Sequence, residues 1–171
     1  MINKKFYPGV FLFVFTVMAA LFAKEDGMLL KIGSKAPDFT MLCPNGATVS
    51  LHDFDGKNPV VLIFYQGDES PYCTKQLCAI RDDFSRFREK NAKVFAVNPA
   101  NEDSHRKFEE KYHFQFPLLI DEKKVVAKLY GCEEWPVVKR TVYIIDNNGN
   151  IVYAKRGMPD DAEILDAIPR N

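Results

Sequence analysis

From residue 28 onward, hydrophobic and polar residues alternate in a pattern that predicts short strands and helices. Two short β-forming segments, residues 39–42 and 47–51, flank the turn residues 44–46 and predict a β-hairpin. Residues 59–65 form a continuous apolar run, which is typical of a strand buried on both faces. Residues 93–97 predict a second buried strand of the same kind.

The rest of the chain predicts four helices and a closing hairpin. The helices are predicted at residues 73–90, 102–112, 122–130 and 161–168. Residues 140–145 and 151–155 alternate in polarity and are joined by turn residues 146–150, which favours a hairpin. Residues 116–120 are apolar, but Pro117 is expected to confine them to a sheet edge or a loop.

This order of elements predicts an α/β fold, with a mixed β-sheet flanked by helices and an N-terminal β-hairpin. A strand–helix–strand unit requires parallel strands, whereas the closing hairpin adds antiparallel ones. Ligands of such sheets gather at the carboxyl ends of central strands. The loop after Tyr65 lies at such an end and leads directly to Cys73.

The first 23 residues differ from the rest and predict a secretory signal peptide. Lys4 and Lys5 precede an uncharged apolar run at residues 9–23. Counted from residue 6 the run is longer, so an uncleaved membrane anchor is the alternative. In both cases residues 24–171 form one domain outside the cytoplasm. Basic and acidic residues balance at 23 each, which argues against a nucleic-acid partner.

Four cysteines, Cys43, Cys73, Cys78 and Cys132, are the main candidates for chemistry. In an oxidising compartment they could form two structural disulfides, although a domain of this size does not need them. The chain has no C-x-x-C pair, so a metal site is not indicated. The three histidines, His52, His105 and His113, lie in separate segments and are interpreted as surface or packing residues.

The position of Cys73 favours a thiolate. Leu77, Ile80, Phe84 and Phe87 recur at helical spacing, and Cys73 extends their stripe to the helix start, where free N–H groups stabilise an anion. An ordinary thiol is only about 3% ionised at pH 7, and making it mostly thiolate requires about 3.4 kcal/mol. A helix terminus contributes about 1–2 kcal/mol, so a nearby cation is also required. We expect Arg140, which opens a central strand, to supply it, since the end of an adjacent parallel strand would bring its guanidinium beside Cys73.

The spacing of Cys73 and Cys78 argues for a redox switch. On an ideal helix their Cα atoms would lie about 8.7 Å apart, beyond the limit of about 7 Å for a disulfide. The pair can therefore close only if the start of the helix unravels. The alternative is that Cys73 is a buried residue of the stripe and Cys78 an idle thiol.

Several segments together resemble the peroxiredoxin family, in particular its bacterioferritin-comigratory or peroxiredoxin Q branch. The similarity runs from about residue 32 to residue 168 and is carried by residues 33–39, 60–65, 73–82 and 140–146. It implies a thioredoxin-like fold. It also implies a hydroperoxide substrate, a thioredoxin-like dithiol reductant, no metal or organic cofactor, a monomer, and a periplasmic rather than a secreted protein.

The resemblance assigns a role to each candidate site residue. Cys73 would be the peroxidatic thiolate and would become a sulfenic acid, and Cys78 would condense with it. Ser70 would hydrogen-bond the peroxide and the thiolate. Arg140 would stabilise the thiolate and the charge that develops during oxygen transfer.

The chain departs from the family pattern at three places. Gln66 stands where the family has a proline that shields the thiolate, and Tyr72 stands where this branch usually has glycine. Residues 131–139 form a shorter stretch than in common members. These changes leave two other functions open, namely an extracytoplasmic thiol–disulfide oxidoreductase and a non-catalytic redox-sensing or binding domain.

Cys43 and Cys132 match no active-site position of the family. They are interpreted as idle thiols, with a second disulfide as the alternative.

Overall fold

Seven strands form one mixed β-sheet in the computed structural model, which describes residues 27–170. The strands are β1 (Thr40–Leu42), β2 (Thr48–Ser50), β3 (Val60–Phe64), β4 (Lys93–Asn98), β5 (Leu118–Ile120), β6 (Thr141–Ile145) and β7 (Ile151–Arg156). Their order across the sheet is β2-β1-β5-β4-β3-β6-β7. The helices are α1 (Pro71–Asp82), α2 (Phe84–Glu89), α3 (Glu102–Tyr112), α4 (Val125–Leu129) and α5 (Asp161–Ala167), and a short 3-10 turn covers Leu51–Phe54.

Strand β3 lies inside the sheet, between β4 and β6, and all five of its residues are buried. It pairs in parallel with β4 and antiparallel with β6. Successive side chains of a strand point to opposite faces, so Val61 and Ile63 pack beneath α1 while Leu62 and Phe64 face the cluster that contains α4. The predicted mixed sheet with helices on both faces and an N-terminal hairpin is therefore confirmed.

The prediction of a single helix over residues 73–90 is wrong. The structure has two helices there: α1 begins earlier, at Pro71, and the backbone of Asp83 (φ −95°, ψ 11°) separates it from α2. The Asp83 carboxylate accepts a hydrogen bond from Arg86 at 2.6 Å. Aspartate is a weak residue in a helix interior because its side chain competes for local hydrogen bonds, and the apolar stripe alone did not reveal this break.

Of the two placements expected for residues 116–120, the sheet edge is wrong, whereas residues 116–117 do lie in a loop that leads into a strand. Strand β5 lies inside the sheet, between β1 and β4, and pairs with both. Pro117 immediately precedes the strand, and its carbonyl oxygen accepts a hydrogen bond from the Ala96 N–H. The missing N–H of the proline thus falls outside the ladder and does not weaken it.

The helix predicted at residues 122–130 is shorter in the structure. Asp121 is buried, and its carboxylate accepts hydrogen bonds from the backbone N–H groups of Val126 (3.2 Å) and Ala127 (2.7 Å) at the start of α4. The helix therefore starts at Val125.

The predicted signal peptide, residues 1–23, lies outside the described residues. Within residues 27–170, none of the helices is both long and apolar enough to cross a membrane.

Candidate active site

The loop between β3 and α1 forms the candidate site, at the carboxyl end of an interior strand. Ser70 is the N-cap of α1 in an extended conformation, and Pro71 is the first helical residue. A proline is well suited to this position because its fixed φ fits the helix and its missing N–H would have no partner there. Cys73 follows as the third residue of α1.

Cys73 is fully buried in the first turn of α1. It belongs to the apolar cluster that also contains Val61, Leu77 and Val142. The N–H groups of a first helical turn have no partner within the helix, so they direct partial positive charge towards this end. The predicted placement of Cys73 at a helix start is confirmed.

Arg140 lies at the same end of the sheet as Cys73. Strand β6 runs antiparallel to β3, and Thr141 pairs with Phe64, the last residue of β3. The Arg140 guanidinium carbon lies 5.8 Å from the centre of the Tyr72 ring, next to Cys73 in sequence. The expected location is thus correct, but the expected parallel strand is wrong. Because β6 is antiparallel, its amino end meets the carboxyl end of β3.

Ser70 is half-buried, and its hydroxyl forms no capping hydrogen bond with the described residues of α1. Its carbonyl oxygen instead accepts the N–H of Thr74 at 2.8 Å. The hydroxyl is therefore not committed to the helix start, three residues before Cys73.

Cys78 lies on the same helix as Cys73, and both are free thiols. Cys78 is half-buried. Burial raises its pKa and the Asp82 charge adds to this, while Arg81 acts in the opposite direction. Because α1 is continuous from Pro71 to Asp82, helical geometry keeps the two Cα atoms about 8.7 Å apart. The structure is that of the reduced, closed helix.

A buried hydrogen-bonded cluster beside the site was missed from the sequence. The Asp68 side chain is only 5% exposed, and His105 on α3 is completely buried against it, with 3.0 Å between Nδ1 and Oδ2. Burial alone would raise the pKa of Asp68, but hydrogen bonds from His105, Ser104 and Tyr65 outweigh it and lower that pKa. The sequence offered a weak signal at most, since Asp68 is a loop residue five positions before Cys73.

The other two histidines fit their predicted roles. His52 is exposed and lies beside Asp38, and His113 is exposed at the end of α3. His105 is a buried packing residue as predicted, but with a polar partner in the site loop.

Cys43 and Cys132 lie on the opposite face of the sheet from Cys73. Both are buried free thiols. Burial raises the pKa of each, and for Cys132 hydrogen bonds from its neighbours and the Arg156 charge partly oppose this rise. They contribute nothing to the geometry around Cys73.

Comparison with known proteins connects this geometry to a family. The model of the AhpC/TSA family matches residues 32–154. Peroxiredoxin Q of Sedum lineare is 39% identical over 144 residues, which cover 80% of this chain and 77% of that protein. Peroxiredoxin Bcp of Bacillus subtilis is 32% identical over 149 residues, covering 82% and 94%. Peroxiredoxin Q of Oryza sativa is 40% identical over 124 residues, covering 71% of this chain but only 57% of that protein.

Solved structures agree with these relatives. Peroxidoxin BcpB of Mycobacterium tuberculosis superposes with a TM-score of 0.75 at 29% identity, covering 81% of this chain and 94% of that one. PrxQ of Xylella fastidiosa has a TM-score of 0.74 at 24% identity, covering 81% of this chain and 95% of that one. At this identity the similarity supports only the fold. The predicted thioredoxin-like fold and the predicted resemblance are confirmed.

Proposed function

Because the chain belongs to the AhpC/TSA family of peroxiredoxins, we propose that it is a thiol peroxidase that reduces hydrogen peroxide and organic hydroperoxides with Cys73. One observation carries the proposal: Cys73 is buried in the first turn of α1, at the end of the sheet where Arg140 immediately precedes β6. A helix start and a nearby guanidinium both favour an anion, and the proposal requires both of them.

In the first step the Cys73 thiolate attacks the terminal oxygen of the peroxide. An S–O bond forms and the O–O bond breaks, so that Cys73 becomes a sulfenic acid and the remaining oxygen leaves as water or an alcohol after taking up a proton. Negative charge moves from sulfur to the leaving oxygen. Arg140 and the Ser70 hydroxyl are the donors that stabilise this charge.

In the second step Cys78 resolves the sulfenic acid. Its thiol condenses with Cys73 to form a disulfide and release water. This step requires the first turns of α1 to unfold, because the intact helix holds the two Cα atoms beyond disulfide range. A thioredoxin-like dithiol then reduces the disulfide by thiol–disulfide exchange and becomes oxidised itself.

Gln66 and Tyr72 modulate this activity. Gln66, which is half-buried after β3, stands where the family has a shielding proline, although Cys73 itself is fully buried in the closed helix. Tyr72 is 66% exposed and lies beneath Arg140, so it narrows the approach to Cys73. We expect a slower peroxidase than a family member with the usual residues.

The protein is proposed to act as a monomer outside the cytoplasm, more specifically in the periplasm. The basic start and apolar run of residues 1–23 support export. N-terminal sequencing of the protein purified from a periplasmic fraction tests this. A mature chain beginning near residue 24 is expected, and an intact Met1 in the cytoplasmic fraction would contradict it.

Stopped-flow mixing of the reduced protein with hydrogen peroxide tests the activity. We expect rapid loss of two thiols for each peroxide, no fast reaction in Cys73→Ser, and a sulfenic acid without a disulfide in Cys78→Ser. A wild-type rate no greater than that of free cysteine would refute the proposal. Catalysed reduction of insulin without peroxide turnover would instead indicate a disulfide oxidoreductase.

A further inference from the structure

The Asp68 carboxylate is the most densely hydrogen-bonded side chain near Cys73. Four residues donate to it: the Tyr65 hydroxyl at 2.7 Å, Asn98 Nδ2 at 2.9 Å, Ser104 Oγ at 2.6 Å and His105 Nδ1 at 3.0 Å. These donors lie just after β3, at the end of β4 and on α3. The carboxylate and its four donors, here called the Asp68 latch, therefore join the site loop to three separate elements.

Packing alone does not explain His105. Its ring is completely buried, and Nε2 has no hydrogen-bond partner among the described residues. A buried polar atom without a partner is unfavourable, and an apolar side chain would fill the same volume without that penalty. The hydrogen bond to Asp68 is therefore what a histidine provides here that an apolar residue would not.

The loop is fixed to α3 at two consecutive residues. Next to Asp68, Glu69 has a left-handed backbone (φ 59°), which is uncommon for a residue other than glycine. Its carboxylate is bound by Lys111 at 2.8 Å. The backbone then turns into Ser70, the N-cap of α1. The surrounding side chains thus hold an unfavourable backbone conformation in place, two residues before the helix that carries Cys73.

The latch is also continuous with the surroundings of Cys73. The Tyr65 ring lies 6.4 Å from the His105 ring and belongs to the same apolar cluster as Cys73. Burial, the Asp68 charge and the hydrogen bond to it, and more weakly the charge of Cys73, raise the pKa of Tyr65. The Tyr65 hydroxyl therefore stays protonated and donates to Asp68.

We propose that Asp68 and His105 are positioning residues for the reaction of Cys73 with peroxide, an inference that rests on the proposed peroxidase function. The latch fixes the loop so that the Ser70 hydroxyl and the first turn of α1 converge on one point. Cleavage of the O–O bond requires this alignment of thiolate, peroxide and donors. Alkylation by iodoacetamide does not require this alignment. Because Cys73 is buried in the closed helix, the reagent reaches it when the start of α1 opens, so the two reactions respond differently when the latch is broken.

The test compares two rate constants of Cys73 in the full-length reduced protein. One is measured with hydrogen peroxide and the other with iodoacetamide, each followed by mass spectrometry of the Cys73 peptide. His105→Leu removes the donor, whereas His105→Asn retains an N–H close to the position of Nδ1. We expect His105→Leu to lower the peroxide rate constant about tenfold or more with less than a threefold change in alkylation, and His105→Asn to recover most of the loss.

His52→Leu is the matched control. His52 also lies beside an aspartate, with 3.2 Å between Nδ1 and Asp38 Oδ2, but it is exposed. The 3-10 turn that carries it packs on the face of the sheet opposite Cys73. Both of its rate constants are expected to equal those of the wild type. If His105→Leu does not fold, Ser104→Ala removes a different donor from the same carboxylate, and a selective loss of about two- to fivefold in the peroxide reaction is expected.

Three results would overturn the inference. The peroxide rate constant of the folded latch variants could stay at the wild-type value. Both rate constants could fall in parallel, which would indicate a less reactive sulfur rather than a loss of alignment. His105→Asn could fail to recover activity. Failure of the proposed function is a separate result, because it is seen in the wild type itself, as a peroxide reaction no faster than that of free cysteine.

Discussion

The opening of α1 that precedes disulfide formation is predicted to depend on Leu77. This residue lies between Cys73 and Cys78 and is completely buried against the sheet. Unfolding of the segment that joins the two cysteines removes Leu77 from the core. Truncating a buried leucine to alanine costs about 2–5 kcal/mol in the packed state. If about 3 kcal/mol of this is lost from the closed helix only, the open population rises roughly 100-fold.

The rate of disulfide formation measures this population. Reduced Leu77→Ala is mixed with one equivalent of hydrogen peroxide, quenched at successive times, and the Cys73 sulfenic acid and the Cys73–Cys78 disulfide are counted by mass spectrometry. The disulfide is expected to form at least about tenfold faster than in the wild type, allowing for partial relaxation of the cavity. Faster resolution also leaves less sulfenic acid for over-oxidation, so less sulfinic acid is expected at high peroxide.

Ile80→Ala is the matched control. Ile80 lies on the same face of α1 and is 1% exposed, but it follows Cys78 and lies outside the segment that must unravel. Its truncation should lower the free energy of unfolding by a similar amount without accelerating disulfide formation. Equal acceleration in both variants, or none in Leu77→Ala, would refute the argument that residues 73–78 open as a unit.

Three further predictions address the charges and thiols. Arg140→Met should lower the peroxide rate constant by about 100-fold in stopped-flow measurements, since a donor aimed at developing charge has an effect of this size, whereas Lys139→Met should leave it near the wild-type value. Asp68→Asn should lower the free energy of unfolding by about 1–3 kcal/mol at pH 7. The pKa of Asp68 is lower in the folded protein than in the unfolded chain, where it is about 3.9. The ionised carboxylate therefore contributes fully to the free energy of unfolding above that value, and the contribution is lost as the pH falls through the folded pKa. In urea unfolding, the difference in free energy of unfolding between the wild type and Asp68→Asn should therefore be smaller at pH 3 than at pH 7. An equal difference at both pH values would contradict the lowered pKa of Asp68. Native iodoacetamide at pH 7 should leave Cys132 unmodified until urea is added, because it is buried with a raised pKa; modification in the native protein would show that its site opens.

Local patterns predicted most of the strands and helices, because the side chains that an element buries recur at the regular spacing of that element. The run at residues 59–65 contains β3, and the predicted helix at residues 102–112 has the bounds of α3. Local patterns did not identify neighbours. The interior position of β5 depends on pairing with β1 and β4, and an apolar segment of three residues carries no mark of its partner.

The sequence by itself determined that a cysteine lies near the start of a helix that follows a buried strand, and that a second cysteine on that helix is placed where an intact helix keeps the two from pairing. Both statements depend on residues adjacent in the chain, where helical and strand geometry fix distances. Only the tertiary structure decided that β6 runs antiparallel and so brings Arg140 to this end of the sheet, and that His105 meets Asp68. Those contacts join residues far apart in sequence, and they form because the sheet and α3 bring them together, which no local spacing encodes.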